Sequence, residues 1–428
     1  MKKVLIFLFI IIYSCNNSNE IVIEKDELLD KLEGFWLGQT IANWTGLITE
    51  NNKIGFANDG TEEPFYTRDN WGKMNEQSWG SSQIIDFKFA DKDSIWGSDD
   101  DTDIEYIYQE LLLENKTTIL TDNQIRDGWL KHIKKEEQNY LWVSNQKAFD
   151  LMINGILPPE TSSPNLNPHY EMIDAQLTTE VFGLYSPLNP EYALLMSTLP
   201  VRTVARENAE WISQFYIIMH SLSYFNKDEI SVKEKINLIA DEARKILPND
   251  SYSAKMYDYV KEKHQSGITW EAARDSLNLR YQINQMDNYM WATKSDSCYG
   301  CFAAGINFGA SIISLLYGEG DYIKTVKIAT LCGWDSDNPA ATWGGMLGFI
   351  YGADEIKKMF EVEMSEKYNI HRTRINFSND GIDDFENMAL KSMKIIEKVV
   401  TEKLNGKSDN NKLVLNKISY ETFGKVIL

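Results

Sequence analysis

The chain has 428 residues, 43% of them hydrophobic and 12% aromatic, enough for a sizeable core in one large or two ordinary domains and too apolar for a disordered chain. Its 63 acidic against 43 basic residues give a net charge of −20, which argues against a nucleic-acid polymer as partner, since phosphate backbones demand clustered Lys and Arg. Such an acidic balance keeps a surface soluble, and it also suits a cleft that concentrates cations.

Met1-Lys2-Lys3 followed by the apolar run 4–13 has the pattern of a signal peptide: a basic start, then a segment too short to span a bilayer as a mature helix. It ends in Ile12-Tyr13-Ser14-Cys15, which resembles a bacterial lipobox. Residues 1–15 are therefore expected to be a lipoprotein signal peptide with Cys15 as the lipidated residue, and residues 16–23 a polar tether. The alternative is a plain secretory signal in which Cys15 is incidental. The folded part is expected outside the cytoplasm, in the bacterial cell envelope, held to a membrane by acyl chains on its periplasmic or cell-surface face.

Residues 24–44 place Leu28, Leu29, Leu32, Phe35, Trp36 and Ile41 at helical spacing, and Gly34, Gly38 and Gly46 interrupt this helix where neighbours pack closely. Glu50 follows at once. Residues 51–98 read as a long functional loop, polar and aromatic, with a short strand or helix near 84–89. Asp99, Asp100, Asp101 and Asp103 then surround Thr102 and run directly into an amphipathic helix carried by Ile104, Ile107, Tyr108, Leu111 and Leu112. Capping explains one or two acids at a helix start. A run of this density repels itself and needs a counter-charge, for which a divalent cation is the economical source.

Further helices are expected over 125–138, 141–154, 170–182, 187–199 and 201–225, the last with Pro200 just before it. His220 lies on its apolar side and reads as a satisfied core histidine rather than a ligand. Helices over 232–247, 252–264, 270–278, 305–317 and 322–331 follow; strand patterns are scarce, and no phosphate-cradling or zinc-protease motif occurs. Cys298-Tyr299-Gly300-Cys301 is a lone CxxC without the second pair of a structural zinc site, and reads as small buried residues or as an oxidisable pair. The tail 403–428 is charged at first and strand-like from 413.

The stretch 332–348 holds Asp335 and Asp337, then Asn338, Pro339 and a run of small residues, and reads as a loop turning into a close-packed helix that Asn338 caps and Pro339 starts. Together the two acidic stretches offer Asp99, Asp100, Asp101, Asp335, Asp337 and Asn338. This all-oxygen donor set suits Mg²⁺, Mn²⁺ or Ca²⁺ and disfavours zinc. In a helix bundle, helix ends far apart in sequence can converge on one such site.

These motifs resemble the ADP-ribosylglycohydrolase family, which includes dinitrogenase-reductase-activating glycohydrolase and the ADP-ribosyl-acceptor hydrolases. Residues 34–46 resemble its early Gly-rich helix, and Glu50 its following acid. Asp99-Asp100-Asp101-Thr102 resembles its Thr-Asp-Asp-Thr motif, and Asp335-Ser336-Asp337-Asn338 its Gly-Asp-Thr-Asp-Thr motif. Asp99 and Asn338 stand where hydroxyl ligands are usual, and Gln39 stands near a frequent acid. The resemblance implies a compact all-α bundle over residues 24–402 with a central dinuclear metal cleft, Asp99 to Asp101, Asp335, Asp337 and Asn338 holding two ions, and Asp100, Asp101 and Glu50 as catalytic residues. It implies a metal-dependent glycohydrolase acting on an N- or O-glycosidic bond of an ADP-ribosyl, nucleoside or other small glycosyl substrate. The alternative is a catalytically silent metal- or glycan-binding envelope lipoprotein on the same fold. Trp71, Trp79 and Trp96 of the long loop either stack on substrate or pack the loop.

Overall fold

Gly34 and Gly38, one turn apart on the first helix, face Gly344 and Gly348 on a helix three hundred residues later. In the computed structural model of the chain, which describes residues 20–56, 61–75, 82–135, 139–225, 230–291 and 298–416, those two helices touch backbone to backbone. A Cβ at Gly34 would lie 2.3 Å from Gly348 O, and one at Gly344 would lie 2.7 Å from Gly38 O. The first of the pair is α1 (Lys25–Gly46), and the second is α13 (Asp337–Tyr351).

Between them run α2 (Asp100–Glu114), α3 (Asp122–His132), α4 (Val143–Ile153), α5 (Val181–Leu184), α6 (Pro190–Val204) and α7 (Glu207–Leu222). These are followed by α8 (Val232–Ala243), α9 (Tyr252–Gln265), α10 (Trp270–Leu277), α11 (Ala304–Gly318) and α12 (Tyr322–Cys332). After α13 come α14 (Ala353–Phe360) and α15 (Phe385–Glu402). The architecture is all-α, as the periodicity implies. Leu32, Trp36, Leu37 and Ile41 of α1 are fully buried, and α12, α14 and α15 pack around the α1–α13 pair. Burial of such side chains is worth about 1.5–3 kcal/mol each and drives the assembly. His220 is a buried core residue whose Nδ1 lies 2.8 Å from Tyr216 O, and burial pushes its pKa down to about 4.

Strands are short and peripheral. β1 (Glu20–Glu24), β8 (Lys412–Asn416) and β7 (Lys407–Ser408) form one sheet in that order, with Glu20 opposite Asn416. Residues 20–23, expected in the tether, therefore pair with 413–416 of the strand-like part of the tail, and 407–408 of its charged part pair with 413–414, burying Leu413 and Leu415. β2 (Met74–Asn75) pairs with β3 (Gln83–Ile84) in the long loop. β4 (Trp96–Gly97) runs parallel to β5 (Lys367–Asn369), which pairs with β6 (Ile382–Asp384). The signal-peptide segment, Cys15, Trp79 and residues 417–428 lie outside the described residues. No helix among those described is long and apolar enough to cross a membrane.

Two helix expectations fail, and tertiary hydrogen bonds explain both. Residues 170–182 do not form one helix: only the turn Ile173–Ala175 and the start of α5 are helical. Ile173 N–H donates to Phe302 O at 3.0 Å and Val181 N–H to Glu105 Oε1 at 2.8 Å, so the donors a helix needs are used elsewhere. The second break falls at residues 205–206, five residues beyond the expected one at Pro200, which sits inside α6. There Arg206 N–H donates to Tyr170 O at 3.0 Å, and Glu171 Oε1 accepts from Asn208 N–H at 2.9 Å, capping α7 from another segment. Cys298 and Cys301 are joined as a disulfide. Cys332 is a free, buried thiol whose pKa burial pushes up to about 12, so it is unreactive.

The β4–β5 pairing carries residues 370–374 across the start of α2. Arg374, fully buried, donates to Oδ1 of the fully buried Asp103 at 2.9 Å and lies 2.8 Å from its Oδ2 as an ion pair. Removing one partner leaves the other charge buried without compensation. Arg374→Met is therefore expected to cost about 3–5 kcal/mol of unfolding free energy, read from urea denaturation, with much of the loss recovered by adding Asp103→Leu.

Candidate functional site

The start of α2 is fixed by three consecutive residues of the overlying strand end. Asp99 is the extended residue before the helix, and its N–H donates to Thr102 Oγ1 at 3.1 Å. Arg372 pairs with Asp99 Oδ1 at 3.0 Å, Thr373 Oγ1 meets Ser98 Oγ at 2.6 Å, and Arg374 holds Asp103. The counter-charge for the run of acids is thus partly protein: two arginines neutralise Asp99 and Asp103. Asp100 and Asp101 have no basic partner among the described residues.

The start of α13 is fixed from the other side. Gly333 (φ +98°) and the buried Trp334 (φ +58°) turn the chain out of α12; a left-handed Trp costs of order 1–3 kcal/mol and persists because its surroundings hold it. Trp334 N–H donates to Lys53 O at 3.0 Å and Asn51 N–H to Trp334 O at 2.7 Å. This two-bond splice sets Glu50 beside Asp335. Asp335 N–H donates to Asn307 Oδ1 at 3.2 Å, and Ser336 Oγ meets Thr49 Oγ1 at 2.9 Å and donates to Gly46 O at 3.1 Å.

Two carboxylate clusters result. Glu50, Asp335 and Asp337 each offer an oxygen within 4.8 Å of the others', and so do Asp99, Asp100 and Asp101. Glu50 thus groups with the second motif. Glu50, Asp100, Asp101, Asp335 and Asp337 all line one cavity of about 250 Å³. Asp99 does not line it, because its oxygens are turned to Arg372 and, at 3.3 Å, to Asn43 Nδ2.

Asn338 lies in the first turn of α13, not at its cap, which is Ser336; Pro339 is accordingly the third helical residue. Its amide bridges two residues: Nδ2 donates to Asp101 Oδ1 at 3.0 Å and Oδ1 accepts from Gln176 Nε2 at 3.0 Å. With Asn43 Nδ2 at 3.5 Å from Asp101 Oδ2, both oxygens of Asp101 are oriented by amides. Gln39, deeper in α1, donates to Glu105 Oε2 at 2.7 Å.

Trp71 and Trp96 of the loop pack within the fold rather than into the cavity. Trp96 is fully buried and donates to Ser365 O at 2.7 Å, and Trp71 stacks edge-on with Phe87 beneath the Lys327 ammonium. The aromatics that do line the cavity are Trp142, 59% exposed at its mouth, and Phe302; Val143, Ile173 and Leu177 complete an apolar wall. A sixth carboxylate, Asp174, also lines it. Its Oδ1 accepts from Asn145 N–H at the start of α4 at 2.7 Å, and its buried Oδ2 has no protein partner. Nothing in the local sequence marked Asp174, since helical spacing assigned it to a helix that does not form.

Crowded burial keeps protons on this site. Burial, then the neighbouring acids, holds the carboxyls of Glu50, Asp100, Asp101 and Asp337 well above their ordinary range. Burial and Asp174 push Asp335 to about 7; burial alone raises Asp174 to about 7 against backbone hydrogen bonds. Asp337 Oδ1 is buried without a partner. An all-oxygen donor set with an orphaned carboxylate oxygen and no lining cation fits a hard divalent ion.

The family model described as ADP-ribosylglycohydrolase matches residues 24–384. A solved structure titled "ADP-ribosylglycohydrolase-related protein complex" is similar at 14% identity and a TM-score of 0.45, over 87% of this chain and 99% of that one. A search among curated proteins found no match.

The raised carboxyls set a pH dependence. Folded-state values above the ordinary 4 or so mean that the metal-free folded chain binds more protons than the unfolded one between about pH 4 and 7. The stability these groups contribute is complete below that window and is lost as pH rises through about 7. The melting temperature in EDTA should therefore fall from pH 5 to pH 8. The increment from added Mg²⁺ or Mn²⁺ should grow over the same range, because cation and protons compete.

Proposed function

The chain belongs to the ADP-ribosylglycohydrolase family, a family of hydrolases, and on that premise we propose that its acidic cavity hydrolyses an N- or O-glycosidic bond with the help of a hard divalent cation. The observation that carries this reading is the convergence of Glu50, Asp100, Asp101, Asp335 and Asp337, from three separate stretches, on one cavity. Structural caps have no reason to meet there, and five crowded acids, three of them buried and none with a basic partner among the described residues, are costly unless something positive joins them.

Glu50, Asp335 and Asp337 would hold one Mg²⁺, Mn²⁺ or Ca²⁺ ion, and Asp100 with Asp101 a second. Bound there, a cation of this class supplies electrophilic polarisation of sugar hydroxyls and of water. The residues of the chain do the rest. Asn43 and Asn338 hold Asp101 in one orientation, so the floor is organised before substrate arrives. Glu50 is half-buried at the cavity, and burial and the neighbouring acids hold its carboxyl well above its ordinary range. Once its proton is given up on cation binding, the Glu50 oxygen not given to the ion would take the proton of the attacking water. The carboxylates around it stabilise positive charge that develops at the anomeric carbon as the glycosidic bond breaks. Trp142, Ile173, Leu177 and Phe302 shelter the leaving group from water.

Export is the second part of the proposal. The signal-like start supports it, and so does the Cys298–Cys301 disulfide, since such bonds persist mainly outside the cytoplasm.

A panel of glycosides and nucleosides, run with Mg²⁺, with Mn²⁺ and in EDTA, tests the activity. Hydrolysis should require the cation, and Asp337→Asn and Asp100→Ala should each lower kcat/KM by about 100-fold or more while removing cation-induced thermal stabilisation. Full activity in EDTA would overturn the cation's role. Intact-mass analysis of the membrane fraction should find a diacylated or triacylated Cys15 as the first residue; an unmodified N-terminus there would refute the anchor.

A further inference from the structure

We infer that the loop closed by the Cys298–Cys301 disulfide positions Asp335 through Asn307, so that opening the disulfide weakens cation binding at the Glu50, Asp335 and Asp337 cluster. This role rests on the cation reading of the cavity and adds a redox control to it.

Asn307 is fully buried in the first turn of α11, and both ends of its amide are used. Nδ2 donates to Cys301 O at 2.6 Å and to Ala303 O at 3.0 Å, while Oδ1 accepts from Asp335 N–H at 3.2 Å. Turning the amide over would set its oxygen against two carbonyls and its NH₂ group against an N–H, so one orientation is fixed. The backbone of the disulfide loop and the backbone of Asp335 are thereby one hydrogen-bonded unit.

The same short loop also touches the other sides of the site. The Tyr299 ring packs on Phe56, centroids 4.6 Å apart, on the segment that leaves Glu50, and Tyr299 O accepts from Gln282 Nε2 at 2.9 Å. Directly after Cys301, Phe302 lines the cavity; its O accepts from Ile173 N–H at 3.0 Å, and Ala304 N–H donates to Glu171 O at 3.0 Å. Cysteines three residues apart close too short a loop to restrict the unfolded chain much. What this bond chiefly fixes is local, the direction of the Cys301 carbonyl and the seat of Phe302.

Opening the bond takes an external dithiol. Cys298 is half-buried and Cys301 fully buried, so access directs the attack to Cys298 Sγ. One thiolate of the dithiol forms a mixed disulfide there, and Cys301 leaves as a thiolate. The second thiol then displaces Cys298 and closes the reductant's own disulfide. Two electrons and two protons pass to the protein, whose Cys298 and Cys301 end as thiols.

Mn²⁺ alone is the probe, titrated by calorimetry into the full chain, oxidised or reduced with dithiothreitol and desalted without oxygen. A gain of two alkylatable cysteines verifies the reduction. Reduction should raise the Mn²⁺ dissociation constant about tenfold, as loss of a group that orients a ligand does. In EDTA it should also speed hydrogen exchange at residues 333–336 while exchange in α15 stays as it was. Asn307→Ala should bind Mn²⁺ as weakly with the disulfide intact, and reducing that variant should add less than about twofold, because the two changes cut one connection. An unchanged isotherm in the verified reduced chain overturns the inference and leaves the cation reading standing. Equal weakening by reduction in Asn307→Ala and in the wild type overturns Asn307 as the link. Absence of Mn²⁺ binding by the oxidised wild type overturns the cation reading, and the inference with it. Should Asn307→Ala not fold, the reduced wild type decides: weaker binding without faster exchange at residues 333–336 overturns the link.

Discussion

The backbone contact between α1 and α13 is the constraint from which the site follows. Four glycines let the two helices approach until carbonyl oxygens and α-carbons touch, and no side chain fits between them. At the end of that contact Gly46 abuts Asp337: a Cβ at Gly46 would lie 2.3 Å from Asp337 Cα. The chain leaving α1 is therefore delivered against the chain entering α13, and the splice between residues 51–53 and Trp334 follows at once. Any residue larger than glycine at these positions would move Glu50 away from Asp335 and Asp337 before altering a single acid.

Electrostatics then sorts the acids by partner. Asp99 and Asp103 are neutralised by Arg372 and Arg374, and Asp101 is held by amides of Asn43 and Asn338. Asp100, Asp335, Asp337 and Glu50 are left facing one another across a cavity, and protons remain on them because ionising all of them in a buried space is unfavourable. A second acidic layer lies deeper, Glu105 one turn along α2 and Glu180 just before α5. Glu105 accepts from Gln39 and from Val181 N–H, and Glu180 accepts from Thr342 at 2.7 Å. Burial raises both, and the pair stays closed in the core, without access to the cavity. The difference between the layers is access: the upper one can exchange its protons for a cation, and the lower one keeps them.

The opposite wall of the cavity has a separate origin. Residues 170–184 give up a regular helix so that Ile173 N–H can bond to Phe302 O and Val181 N–H to Glu105. The disulfide next to Phe302 staples the partner segment, and the resulting irregular wall places Ile173, Asp174 and Leu177 side by side. Regular helices supply the acids of the floor, and an irregular segment supplies the surface that meets the substrate.

The sequence by itself determined the helical class and the two acidic motifs, because 3.6-residue periodicity and dense acids at helix starts are local signals; that the motifs meet was only what the family resemblance implied. It also determined that α1 would pack closely, since glycines in an apolar helix have few other uses. Only the tertiary structure decided which acids remain free. Arg372 and Arg374 lie some 270 residues from Asp99 and Asp103, and no local pattern pairs them. It also decided that Asn338 orients Asp101 rather than capping α13, that Glu50 joins the second motif, and that Asp174 faces the cavity. The reason is the same each time: a hydrogen bond or ion pair across the fold overrides a local propensity worth a few tenths to one kcal/mol, and such partners have no signature in neighbouring residues.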